Sequence, residues 1–230
     1  MFYSRRQEDT SRELSYIISP NNGVESPWLA NFFRCLTFGA AFLFAACASQ
    51  QEQISPQATS GLTQVRTQAV QLKQQLSSTT DSARTVSKSS GSELSSSLNS
   101  LSGNLDSLKS TLGAGRQSVR SAQDQITAYF ANWDKQSRGM SEDLQKTSKQ
   151  RQAEAAASFE SLRASIDAVR GGVWPYISDM SETVKYLRTD QTPAGVDAVS
   201  PRLSSTIASE PVIQRDLDNV IAQIDAITKQ

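Results

Sequence analysis

Histidine is absent from the 230-residue chain. That removes the side chain whose ordinary pKa lies nearest neutrality, along with imidazole metal ligands and Ser–His or Cys–His nucleophile pairs. The two cysteines, Cys35 and Cys47, both lie near the N-terminus, so no disulfide or thiolate metal site can form beyond residue 47. Net charge is also lacking: 23 basic residues balance 23 acidic ones, and four of each precede Cys47. A neutral chain without a run of like charges has no electrostatic footprint for nucleic acid or an anionic surface. Aromatic residues are missing from Ala45 to Ala128, and no stretch alternates apolar and polar residues with period two. No β-strand is expected.

The apolar content near the N-terminus is concentrated in one short run. Cys35 to Ala46 reads CLTFGAAFLFAA, twelve residues preceded by Arg34. A membrane-spanning helix needs roughly 20 apolar residues, whereas the apolar region of a signal peptide takes about 7–15. The run closes in Leu43-Phe44-Ala45-Ala46-Cys47, which resembles a bacterial lipobox, with Phe44 where an aliphatic residue is usual. Residues 1–46 are therefore predicted to be a signal peptide and Cys47 the lipidated first residue of the mature chain. Ala48 stands where the absence of aspartate resembles lipoproteins sent on to the outer membrane. The leader before Arg34 is long and polar for such a signal, which suggests an overextended start, with Val24 as an alternative initiation site.

Residues 47–57 are polar and predicted to be a tether, and residues 58–230 a helical domain. Ser55-Pro56 supplies an N-cap followed by proline at the first helical position. Leu62, Val65, Ala69, Leu72, Leu76, Thr79, Ala83 and Val86 then recur at steps of three and four, a single helical stripe. A second stripe runs Leu94, Leu98, Leu101, Leu105, Leu108, Leu112, Val119, Ile126 and Trp133, a 3.5-residue period typical of coiled-coil packing. Fourteen of the 34 residues from Ser77 to Ser110 are serine, an indifferent helix former, so these helices need a partner surface. Further stripes run from Ala155 to Val173, from Val173 to Leu187, and from Ile213 to Ile227.

Reversals are expected near 87–92, 139–141, 171–175 and 190–211. Gly171-Gly172 reads as a helix stop, and Pro211 as the opening of the last helix. The fold class is all-α: an elongated antiparallel helical bundle with coiled-coil-like long helices, two long and several shorter. Because the aromatics come late, the larger part of the core is expected in the C-terminal half, with the serine-rich hairpin projecting. That hairpin is expected to close on its own bundle rather than offer a groove to a partner helix.

Candidate sites are few. Asp179, Glu182 and Asp190 are the carboxylates a hydrolase or metal site would need, but nothing in the sequence sets a histidine, cysteine or phosphate-binding loop beside them; they read as solvated helix charges. Gly113-Ala114-Gly115 lacks the preceding strand and following lysine of a phosphate loop. Tyr129, Trp133 and Trp174 could stack on a ligand, though Tyr129 and Trp133 stand four apart on an apolar stripe, as core residues do. No catalytic, cofactor or metal site is expected, and Cys47 is the one functional residue assigned.

The second half of the chain resembles a family of bacterial helical lipoproteins known as domain of unknown function 2959. Phe130-Ala131-Asn132-Trp133, Leu144 to Ser148, Phe159, Pro175, Val184 and Tyr186-Leu187-Arg188 carry the resemblance, over about residues 116–227. The chain departs from the family pattern at Thr189-Asp190-Gln191-Thr192. The resemblance implies an exported helical lipoprotein and no particular activity. Together these readings predict a non-enzymatic envelope scaffold or adaptor. Its partners would be the membrane, through the lipid on Cys47, and an envelope protein or further copies of itself, but not nucleic acid. The alternatives are a membrane-active or self-assembling helical protein and, less favoured, a carboxylate-dependent hydrolase.

Overall fold

The computed structural model describes residues 55–229; the predicted signal peptide, Cys47 and most of the tether lie outside them. Four helices follow one another: α1 (Pro56–Val86), α2 (Ser92–Ser137), α3 (Glu142–Thr189) and α4 (Pro193–Thr228). Among the described residues there is no strand.

Local chemistry fixes the ends. The Ser55 hydroxyl accepts from the Ala58 N–H at 3.3 Å, and Pro56 follows it. The Thr192 hydroxyl caps α4 in the same way, accepting from the Gly195 N–H at 3.1 Å, with Pro193 behind it. Each cap satisfies one of the orphan donors of a first helical turn. Between α1 and α2 the chain reverses through Gly91, whose φ of 56° lies in the left-handed region that glycine enters without penalty. Glu142 and Asp143 occupy the first turn of α3, where the helix dipole favours negative charge.

The helices pack in a ring. α1 lies against α2 and α4, and α3 lies against the same two helices. With short connections between successive helices, this is an up-down-up-down four-helix bundle. Every residue of the first stripe, Leu62 through Val86, is buried, as are the six leucines from Leu94 to Leu112. Gly61 lets α1 and α2 approach: a Cβ there would stand 3.1 Å from the Ala122 Cα. Ion pairs align α1 with α4. Arg66 binds Asp225 through two nitrogens at 2.7 and 3.3 Å, Lys73 binds Asp218, and Arg84 lies 3.6 Å from Glu210.

The structure corrects three sequence expectations. Helix α3 continues through Gly171-Gly172 and Pro175, and α4 begins at Pro193 and continues through Pro201 and Pro211. Among the described residues there are thus four long helices rather than two long and several short. A proline inside a helix costs about 3 kcal/mol and a glycine about 1. Each fully buried aliphatic or aromatic side chain returns roughly 1.5–3 kcal/mol. Val169, Val173, Tyr176, Ile177, Met180, Val184 and Leu187 are all buried on either side of Pro175, so packing outweighs the breakers. Gly172 also has a positive role, since a Cβ there would lie 2.9 Å from Ile213 Cγ1 on α4.

The third correction concerns what projects. The serine-rich hairpin is inside the bundle and closes on it: Tyr176 and Thr80 share a buried hydrogen bond of 2.8 Å, and Arg188 donates to the Ser102 hydroxyl at 2.9 Å. Its leucines are among the most fully buried side chains. The part that extends is the α2–α3 end. Helices α2 and α3 have 46 and 48 residues, against 31 in α1 and 36 in α4. The contacts of Gly61 with Ala122 and of Arg66 with Asp225 set the start of α1 and the end of α4 beside the middle of α2's C-terminal half. Beyond that level, residues 130–158 form a two-helix arm.

Candidate functional site

Cys47 lies outside the described residues, so the candidate features within them are the carboxylates, the aromatic residues and the surface of the arm. Asp179 and Glu182 face α4 together and both meet Arg202: Glu182 is hydrogen-bonded to it, and Asp179 lies 4.0 Å from its Nε. The Thr206 hydroxyl also lies 3.4 Å from Asp179. Glu182 is exposed at the surface and Asp179 is partly exposed. Asp190 sits elsewhere, at the link to α4, where it accepts from the Thr192 hydroxyl at 2.6 Å and from the Thr192 N–H at 3.1 Å. These bonds hold its carboxyl below the usual carboxylate range. The three carboxylates do not converge. Among the described residues no cluster of His, Cys, Asp and Glu could hold a metal ion. Gly113-Ala114-Gly115 is continuous helix within α2.

The aromatic residues divide. Tyr129, Phe130, Trp133 and Phe159 form one cluster at the base of the arm, with Phe130 and Trp133 stacked at 6.3 Å and Phe130 edge-on to Phe159 at 5.7 Å. The Trp133 indole N–H donates to the Ser148 hydroxyl at 2.7 Å, and Gln152 donates to Asp134 at 2.8 Å. The cluster thus serves to join α2 to α3 where the other two helices have ended. Trp174 stands apart on α3, with the Arg116 guanidinium 4.5 Å above its ring. Burial, and then the positive charges of Arg170 and Arg120, hold Arg116 below the usual guanidinium range. The stacking compensates part of that lost hydration.

Tyr176 is the most deeply placed titratable group among the described residues. Burial pushes its phenol up to about 12, against the smaller opposing effect of the Thr80 hydrogen bond. It therefore acts as a neutral cross-link between α1 and α3.

Sequence reasoning missed the tip of the arm. Met140 and Leu144 are exposed at 40% and 58%, and the only other large exposed hydrophobic residues among those described are Tyr186 and Val212. The Gln145 side chain ties the turn by donating to the Met140 carbonyl at 2.9 Å, and the Gln145 N–H donates to the Ser141 carbonyl at 2.9 Å. The available signal was weak: Leu144 lies outside every apolar stripe, isolated among charged and polar neighbours. Such an arrangement offers a contact surface, apolar at its centre and charged around it.

The architecture defines an all-α, up-down-up-down four-helix bundle with one extended hairpin. The model of the family described as "Protein of unknown function (DUF2959)" matches residues 59–230, and the chain belongs to that family. The match includes all of α2, α3 and α4 and nearly all of α1, a wider span than the motifs noted above. No curated protein and no solved structure matches the chain.

Proposed function

We propose that the protein is a lipid-anchored, non-enzymatic scaffold or adaptor of the bacterial cell envelope, held at the periplasmic face of the outer membrane. The observation that carries this reading is the sequence Leu43-Phe44-Ala45-Ala46-Cys47 at the end of a twelve-residue apolar run, nine positions before α1 begins. A diacylglycerol on Cys47 supplies two acyl chains, enough for stable anchoring where a single chain gives only reversible binding. Among the described residues no helix is long and apolar enough to cross a membrane, so the lipid would be the means of attachment for this part of the chain. The bundle then acts as a stiff body, with its arm as the contact element.

The test is the intact mass of the protein recovered from the membrane fraction, beside a Cys47→Ser variant. A mass matching residues 47–230 plus lipid, absent in the variant, is the expected result. An unmodified full-length mass would remove the anchor and with it the envelope reading.

A further inference from the structure

We propose that the tip of the arm docks on the same lipid bilayer that carries the anchor, with Met140 and Leu144 as its apolar contacts. The proposal rests on the reading of Cys47 as the lipidated residue. Met140 and Leu144 lie within four positions of each other at the far end of the arm, both exposed, on a turn held by Gln145. The bilayer is singled out by where the tether ends. Helix α1 starts at Pro56, and the Gly61–Ala122 approach places that start at the arm's end of the body.

The nine steps from Cys47 to Pro56 span at most about 30 Å. From Phe130 to the turn at Gly139 the arm extends about 14 Å. The tip is therefore within reach of the anchoring leaflet without the tether being fully drawn out. The opposite end of the body lies about 46 Å from that attachment along α1 and comes to the bilayer only when the bundle lies over on its side.

Charge around the tip is nearly balanced and does not oppose contact with a phospholipid surface. Lys135, Arg138, Lys146 and Lys149 are exposed there. Asp134, which accepts from Gln152, and Glu142 and Asp143, in the first turn of α3, stand among them and are exposed as well. A second copy of the chain is the competing occupant. Stable protein interfaces take about 20–30 residues a side, whereas the tip offers two large apolar side chains.

The experiment uses the mature lipidated protein in vesicles of phosphatidylethanolamine and phosphatidylglycerol, with Cys47 acylated and one added thiol. An environment-sensitive fluorophore is placed at Thr147→Cys, one turn from Leu144, or at Asn99→Cys, about 60 Å from the tip along α2. With headgroup-level quenchers in the bilayer, the label at 147 is expected to be quenched several-fold more than the label at 99. Adding Met140→Glu and Leu144→Glu should abolish the difference while helical circular dichroism is retained. Equal quenching at both positions in protein that co-floats with vesicles overturns the docking and leaves the anchor standing. Thr147→Cys disulfides between copies without quenching overturn it in favour of self-association. Protein that fails to co-float, with a mass lacking lipid, overturns docking and anchor together.

Discussion

The body of the bundle and its arm hold their helices in different ways. In the body, the N-terminal half of α2 is rich in serine, and its helix survives because Leu94, Leu98, Leu101, Leu105, Leu108 and Leu112 are all buried against neighbours. In the arm, only two helices remain to cover each other. The N-terminal part of α3 carries Ala153, Ala155, Ala156 and Ala157, strong helix formers that need little outside support. Four aromatic rings and the Trp133–Ser148 hydrogen bond then replace the continuous aliphatic core, of which Phe130 and Trp133 are not part. Burial on all sides makes a poor helix sequence reliable. Intrinsic propensity lets a thin extension stand away from the core and leave its tip exposed.

The strongest way to break this comparison is to cut a side chain in each region. Leu101→Ala removes a fully buried leucine from the body and is expected to cost about 2–5 kcal/mol of global stability, read from urea denaturation. Trp133→Ala should instead loosen the arm locally, raising amide exchange across residues 130–158 while the global midpoint moves much less. Equal shifts in the midpoint would mean that arm and body unfold as one unit.

The Thr80–Tyr176 cross-link sharpens the contrast through pH. Its phenol is raised from an ordinary value near 10 to about 12, so the folded state holds the proton more tightly than the unfolded chain. The associated stability is fully present below pH 10 and is lost as pH rises from 10 through 12, up to about 2–3 kcal/mol. Tyr176→Phe should remove this decline relative to wild type in denaturation series across that range. At neutral pH the same variant should cost about 1–2 kcal/mol, because the Thr80 hydroxyl loses its buried partner.

The smallest effect is at Gly171, one of a glycine pair whose members should respond oppositely. Gly172→Leu would drive a side chain into Ile213 and is expected to cost about 1–3 kcal/mol, whereas Gly171→Ala, with open space around it, should stabilise α3 by about 0.5–1 kcal/mol. Opposite signs in thermal melts would show that one glycine is required by packing and its neighbour is not.

Much of the body was legible because its stripes are narrow and regular. All eight positions from Leu62 to Val86 fall inside, and the breaks near 87–92 and 139–141 lie where serine and glycine interrupt the pattern. The continuations through Pro175, Pro201 and Pro211 were not legible. Proline and glycine advertise a local preference, and the burial that overrides it becomes visible only when α1, α2 and α4 are in place around α3. The arm was hidden for the same reason, since a projection depends on the relative lengths of four helices and two of those lengths had been cut short. Asp179 and Glu182 were readable as surface charges, but their shared partner Arg202 was not, because it lies across the α3–α4 link.

The pairing of Arg66 with Asp225 joins residues 159 positions apart. Helix α1 is the first of the four described helices in the chain, yet one of its two neighbours is α4, the last of them. On the exported reading the chain folds after crossing the membrane, and α1 has no α4 to pack on until the last of the four helices has followed it. During that interval the face of α1 that α4 covers is open. Hairpins with local contacts form fast, and long-range docking is slow. Until α4 closes the ring a newly emerged chain is exposed to aggregation, and a chain shortened in α4 loses the whole bundle's closure, not one helix.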